Sequence, residues 1–342
     1  MKRPRNKAAE RSATGLFMED FMKFLFTASA AVVIFFQPCF LLAGMLDTAG
    51  LTEATTEAEI ARARGVGRFA ADRSSAAAVK APPVESTQGH AHHGKCCAFK
   101  LVKCNLVIVY GKADGKDHEA VKNQVRDSAI FETLVEHLNF FIELPSELKL
   151  RLAMLGEENA YYDPEKKEII ISYELLKYFS DLVDLQKDMN ADEKAELFVD
   201  LVFFVTLHEL GHALIDIFDL PVTGKEEDVA DQIASWIILK TFGDDDHRAV
   251  LSLVNASEWF VAEFDASALK VEDLEFAGSH SLDPQRFYNV IAWAYGFNPD
   301  AAVAALGADI GEFLTDERIE SAAVEFDRID RSFAVLLKKY LK

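Results

Sequence analysis

Hydrophobic and polar positions change their period along the chain, from a two-residue alternation to a helical repeat. The stretch "FKLVKCNLVIVYG" at residues 99–111 alternates and is rich in Val and Leu, which is typical of a β-strand. Residues 117–144 space their apolar side chains at helical intervals and predict a helix. "ELKLRLAML" predicts a second strand, and "NAYYDPEKKEIIISYELL" predicts two extended segments joined by a turn at its Asp-Pro pair.

From Tyr173 onward the pattern is helical almost to the C-terminus. Its interruptions fall near residues 186–191, 221–224, 277–283 and 297–299. Strands followed by a run of helices indicate an α+β fold. We therefore predict one α+β domain over residues 99–342, with a small N-terminal sheet followed by a mostly helical half.

The N-terminal part of the chain has a different character. Six basic residues lie before or at Lys23 and precede an uncharged apolar run from Phe24 to Leu46, a pattern typical of a signal peptide or an N-terminal membrane anchor. We predict such a segment over residues 1–46, which would make the protein exported, periplasmic or anchored to the membrane on its extracytoplasmic side. Residues 47–98 contain few large apolar side chains and predict a flexible linker.

The end of the predicted linker, "GHAHHGKCC", contains side chains that could bind a metal ion: His90, His92, His93, Cys96 and Cys97. The alternative is a linker with incidental histidines, because the paired spacing of a structural zinc site is missing. All four cysteines of the chain precede residue 105, so no disulfide framework holds the main domain.

Charge is unevenly distributed along the chain, whose net charge is -20. Residues 101–342 carry 47 acidic and 23 basic side chains, which gives this part a net charge of -24. A domain this acidic repels phosphate backbones, so we expect no nucleic-acid partner. The same excess of acidic residues would also serve solubility.

The most informative stretch is "EKAELFVDLVFFVTLHELGHALIDIFDL" at residues 193–220, where apolar side chains cover nearly the whole circumference of a predicted buried helix. His208 and His212 are four residues apart and share one helix face, where two imidazoles could bind one Zn²⁺ ion. Glu209 points beside that face and could act as a general base toward a metal-activated water. The alternative is a helix with satisfied core histidines, in which an uncompensated carboxylate would be costly.

An acidic helix start follows the turn "PVTG". Thr223 and Glu226 fit a capping box, which leaves Glu227 free to be the third ligand of a catalytic zinc site. Asp231 shares the face of Glu227 and could accept the ring N–H of a ligand histidine from outside the ligand shell. The alternative is an ordinary acidic bias at a helix start, which the helix dipole favours.

The sequence "HELGH" followed by Glu227-x-x-x-Asp231 resembles the gluzincin arrangement of thermolysin-like zinc peptidases. In those enzymes the glutamate is the third zinc ligand and the aspartate supports a ligand histidine. Together with "NAYYDPEKKEIIISYELL" and "HSLDPQRFYNVIAWAYG", the motif resembles more closely an uncharacterised family of exported bacterial putative metallopeptidases, over residues 107–341. The resemblance implies a zincin-like fold, in which "NAYY" is the expected edge of the substrate cleft; an ordinary hairpin strand is the alternative.

A group that stabilises the developing oxyanion is expected from the C-terminal half, in "SHSLDPQRFYN". His280 precedes the predicted helix start and is the first candidate, ahead of Arg286 and Tyr288.

We therefore predict a zinc-dependent peptidase that acts on a peptide or protein substrate. Zn²⁺ would be held by His208, His212 and Glu227, with Glu209 and His280 as the catalytic residues. The alternative is a catalytically inactive zincin-fold protein of the cell envelope that binds a metal or a partner. The sequence gives neither the substrate nor the oligomeric state.

Overall fold

The computed structural model describes residues 105–241, 245–262 and 277–342. The predicted export segment, the linker with its histidines and cysteines, and the start of the first predicted strand lie outside the described residues. The described part has an α+β fold with a small sheet followed by helices, which confirms the predicted fold class.

Four strands form a single mixed sheet in the described part of the chain. They are β1 (Leu106–Tyr110), β2 (Leu148–Ala153), β3 (Ala160–Asp163) and β4 (Glu168–Ser172). In the order β1-β2-β4-β3, the first three strands are parallel, and β3 runs antiparallel to β4. β3 therefore lies at one edge of the sheet.

Helices make up most of the remaining described residues. They are α1 (Gly115–Asp127), α2 (Ile130–Phe141), α3 (Tyr173–Asp184), α4 (Ala191–Phe218), α5 (Glu226–Thr241), α6 (Asp246–Ser257), α7 (Trp259–Ala262), α8 (Asp283–Phe297), α9 (Pro299–Leu306) and α10 (Asp316–Leu336).

The helical structure predicted over residues 117–144 is present, but it is divided between two helices, α1 and α2. Ala129 adopts a left-handed conformation with φ of 52° and stands immediately before α2. The apolar face continues across the break, since Val125 and Phe131 on its two sides are both fully buried. Hydrophobic spacing alone therefore did not reveal the break between α1 and α2.

Helix α4 is the centre of the core. It begins with a capping box, in which the Asn190 side chain accepts from the Glu193 backbone N–H and the Glu193 carboxylate accepts from the Asn190 backbone N–H. Its apolar side chains face all directions, and it is long and apolar enough to cross a membrane by length and composition alone. In this structure 83% of its most apolar 18-residue stretch is buried, which is typical of a core helix. The histidine motif lies in the C-terminal half of this helix.

A buried polar cluster fixes α6 against α4. Asp200 is fully buried and accepts hydrogen bonds from Arg248 at 2.8 Å, Ser252 at 2.6 Å and Asn255 at 2.9 Å. Because every one of these donors lies on α6, the carboxylate holds that helix in one register on α4.

The C-terminal residues of the chain pack against the segment after α2 and against the end of α4. Leu341 forms a β-bridge with Ile142, just after α2. The ring of Tyr340 stacks on Phe218 at the end of α4, with the two ring centroids 3.6 Å apart. These contacts hold the C-terminal end of the histidine helix in place.

Candidate metal centre

The site forms because α4 and α5 approach each other closely at Gly211. A Cβ atom at this position would lie 3.0 Å from the Cα of Ala230 on α5, which is closer than nine in ten real Cβ contacts. Glycine therefore lets the two backbones pack together, and the first turns of α5 face His208 and His212.

Three candidate ligand atoms converge between these helices. The Nε2 atoms of His208 and His212 lie 3.3 Å apart. Glu227 Oε2 lies 3.2 Å from His208 Nε2 and 3.3 Å from His212 Nε2. Two nitrogens and one oxygen thus form a nearly equilateral triangle. These atoms belong to the three residues that the sequence predicts as metal ligands.

Each imidazole is oriented by a carboxylate on its other nitrogen. His208 Nδ1 donates to Asp231 Oδ1 at 2.7 Å, and His212 Nδ1 donates to Glu226 Oε1 at 2.8 Å. With the proton on Nδ1, a neutral imidazole directs the lone pair of Nε2 at the centre of the triangle. Such carboxylate–histidine pairs are typical of metal-binding histidines.

Asp231 is itself held by a buried arginine. Arg286 on α8 donates from Nε to Asp231 Oδ2 and from a terminal nitrogen to Asp231 Oδ1, both at 2.8 Å. The guanidinium also lies 4.1 Å from the centre of the Phe260 ring. This bidentate pair fixes the carboxylate plane, so that Asp231 Oδ1 remains directed at His208.

Glu209 is 8% exposed and follows His208 directly on α4. Its carboxylate makes no hydrogen bond to the described part of the chain. Burial raises the pKa of Glu209, an effect that the neighbouring His208 and His212 oppose. The structure thus has a carboxyl group beside the three converging ligand atoms that is not one of them.

His280 lies in the loop before α8 and reaches the same centre. Its Nε2 donates to Glu227 Oε2 at 2.8 Å. Ligand atoms of His208, Glu227 and His280 all lie within 4.8 Å of one another, so this second set could also hold a cation. The triangle that includes His212 is tighter, with all edges at 3.2–3.3 Å, and better matches a single small ion.

The electrostatics of the centre favour positive charge. Burial opposes protonation of His208, but hydrogen bonds with Asp231 and Glu227 raise its pKa to about 9. Burial would raise the pKa of Glu227, but hydrogen bonds from His208, His212 and His280 hold that pKa well below the usual range. The carboxylates of Asp231 and Glu227 therefore favour a positive charge on or beside the imidazoles, as a proton or a metal cation would supply.

Comparison with known protein families matches residues 110–337, about two thirds of the chain, to a family described as putative metallopeptidase. The chain belongs to this putative metallopeptidase family. No curated protein and no solved structure matched the chain. Family membership supports peptide-bond hydrolysis with a metal ion at the level of a putative metallopeptidase.

The edge strand β3 is attached to the helix that carries the histidines. Tyr162 on β3 donates to Asp216 Oδ2 at 2.6 Å, and the ammonium group of Lys167 pairs with the same carboxylate. Asp216 lies one helical turn beyond His212 on α4. These contacts attach the β3 edge, which contains most of "NAYY", to the helix that carries the histidines.

The capping box predicted from Thr223 and Glu226 is absent in the structure. Glu226 is the first residue of α5, so it does not occupy the third helical position that a capping box requires. Its carboxylate instead accepts from His212, a role that the sequence analysis missed. The two acidic residues in succession, Glu226 and Glu227, were the available signal.

Arg286 and Tyr288 are poorly suited to stabilise an oxyanion. Arg286 is 8% exposed and uses its donors on Asp231. Tyr288 is more exposed but lies about 200° around α8 from Arg286, since successive helical residues are about 100° apart. His280, in contrast, contacts Glu227 directly.

Proposed function

We propose that the protein is a zinc-dependent peptidase whose metal ligands are His208 Nε2, His212 Nε2 and Glu227 Oε2. The observation that carries the proposal is the triangle of 3.2–3.3 Å formed by these atoms. Ligands bound to Zn²⁺ at their usual distances in tetrahedral directions lie about 3.3–3.4 Å apart. Two imidazoles and one carboxylate are also a donor set that zinc favours in hydrolases.

Three protein ligands leave a fourth position for water or substrate, which is the arrangement of catalytic zinc sites. When bound, zinc would supply a Lewis acid that activates water and polarises the scissile carbonyl. Asp231 and Glu226 would keep both imidazoles in the tautomer that presents Nε2.

Glu209 would be the general base. Its carboxylate oxygen would take a proton from the attacking water and later give that proton to the leaving amine. The carboxylate is suited to this role because it is buried beside the ligand atoms and has no hydrogen bond to the described residues. The Nε2–H group of His280 would donate to the oxyanion that develops on the substrate.

The substrate would be a peptide or protein in an extended conformation along the edge of β3. An edge strand offers backbone groups that can pair with an added strand. The N-terminal export segment predicted over residues 1–46 would place this activity outside the cytoplasm.

A second candidate function is a metal-binding protein without turnover. It is favoured by the closeness of His280 to Glu227, because His280 as a fourth protein ligand would close the metal site, as in structural zinc centres. The buried carboxyl of Glu209 favours the peptidase, since a closed structural site has no use for a base.

The peptidase is tested by incubating the purified full-length protein with a mixed peptide library and measuring new amino termini by mass spectrometry. We expect cleavage to fall at least about 100-fold after removal of the metal by a chelator, because the water would lose its activation. One equivalent of zinc should restore cleavage. Cleavage that persists in the metal-free protein, or zinc-loaded protein that cleaves nothing, would contradict the proposed function.

A further inference from the structure

Two neighbouring residues at the start of α5 bind two neighbouring residues of the loop before α8. Glu227 Oε2 accepts from His280 at 2.8 Å, and Asp228 Oδ1 accepts from the Ser281 hydroxyl at 2.7 Å. Each pair is consecutive in the sequence, so both contacts join the same short segment of the loop to the same turn of α5. They connect the described loop residues 277–282 to the first turn of α5.

The two hydrogen bonds differ in what a metal ion would do to them. Glu227 is a metal ligand under the proposed function, so the metal and His280 would compete for its carboxylate oxygen. Asp228 lies outside the triangle of ligand atoms, and its bond to Ser281 does not involve any ligand. The Ser281–Asp228 hydrogen bond would therefore persist when the metal binds.

Ordinary helix capping does not explain this bond. A cap at the start of α5 would accept a hydrogen bond from one of the free backbone N–H groups of the first turn. The Ser281 hydroxyl instead donates to a side-chain carboxylate of that turn. Its structural effect is to attach the loop to the helix, one residue away from His280.

We propose that Ser281 and Asp228 are positioning residues that hold His280 at the metal centre. This inference rests on the proposed function, in which His280 donates to the oxyanion. His280 has 42% of its side chain exposed, and its ring contacts only the stacked His208 ring at 6.3 Å, the Ser279 hydroxyl at 3.3 Å and Glu227 within the described residues. The hydrogen bond of the next residue, Ser281, attaches the backbone of this loop to α5 and so adds a constraint on where the imidazole lies.

The kinetic test uses zinc-loaded full-length protein with Ser281→Ala. We expect kcat to fall about 10–100-fold, because a displacement near 1 Å of a catalytic group can cost this much. KM and zinc content should stay within twofold of the wild type. Ser281→Thr keeps the hydroxyl and should restore most of the activity, whereas Ser321→Ala, which removes an exposed serine hydroxyl on α10, is the matched control.

A double-variant cycle tests whether the effect passes through His280. In the His280→Ala background, adding Ser281→Ala should change kcat by less than twofold, because the group that is positioned has been removed. The same 10–100-fold loss in that background would overturn the proposal. So would a single Ser281→Ala variant with wild-type kcat.

A chemical measurement tests the positioning without any activity. Carbethoxylation of His280 by diethyl pyrocarbonate, followed by mass spectrometry, should be several-fold faster in Ser281→Ala, with His118 as the internal reference. An unchanged rate would overturn the proposal. If this rate rises but the wild type cleaves no peptide, the positioning is supported and the proposed function fails. If the wild type cleaves peptides but the rate is unchanged, the proposed function stands and the positioning fails.

Discussion

Replacing Glu209 by Gln should abolish hydrolysis while leaving the metal in place. The amide has nearly the same shape as the carboxylate but cannot take a proton from water, and a well-placed general base contributes about 10²–10⁴ in rate. We therefore expect kcat to fall by about 10³-fold. Because Glu209 is not one of the three converging ligand atoms, the zinc content should match that of the wild type.

Glu320→Gln is the matched control, since it makes the same chemical change at an exposed site on α10. It should leave both kcat and zinc content unchanged. Loss of zinc in Glu209→Gln would mean that this residue is a ligand and would contradict its role as base. Full activity of the variant would mean that the cleavage comes from a contaminating peptidase. The protein would then have the second candidate function, metal binding without turnover.

Replacing Arg286 by Met should cause the largest loss of stability at the site. Asp231 is 2% exposed, and the variant would leave its carboxylate buried with only His208 as a partner. Breaking a buried ion pair from one side costs about 3–5 kcal/mol, because the remaining charge loses its compensation. Urea unfolding of the metal-free protein measures this cost without the added stabilisation that bound zinc provides.

Two controls isolate the buried charge as the cause. Arg331→Met removes an arginine that pairs with Asp327 on the exposed surface of α10, and should change stability by less than about 1 kcal/mol. Adding Asp231→Asn to Arg286→Met should recover part of the loss, because the amide carries no charge. If Arg286→Met lowers the free energy of unfolding by less than about 1 kcal/mol, the buried Arg286–Asp231 pair does not stabilise the site as described.

The sequence predicted the order of strands and helices because the period of the apolar residues follows directly from backbone geometry. It missed the break between α1 and α2, where Ala129 adopts a left-handed conformation that no glycine or proline signals. It also could not give the strand order β1-β2-β4-β3, because pairing between distant segments leaves little trace in local spacing.

At the site, the sequence predicted which residues share one helix face, but it could not predict partners that are distant along the chain. His208 and His212 share a face by helix geometry, and Glu227 and Asp231 follow the same rule on α5. The partner of Asp231 is Arg286, which lies 55 residues further along the chain, so only the packing of α8 on α5 brings the two together. Glu226 was misassigned because its role depends on where α5 begins, and a shift of two residues changes which side chain faces His212.

The most direct test of a zinc site between α4 and α5 is the metal content of the purified full-length protein, measured by plasma mass spectrometry beside a His212→Ala variant. We expect about one zinc per chain in the wild type, since the three ligand atoms fit one ion. We expect a large loss in the variant, which keeps only two of the three ligands. Zinc well below one per chain in wild-type protein purified without chelators, or an undiminished zinc content in His212→Ala, would contradict the account.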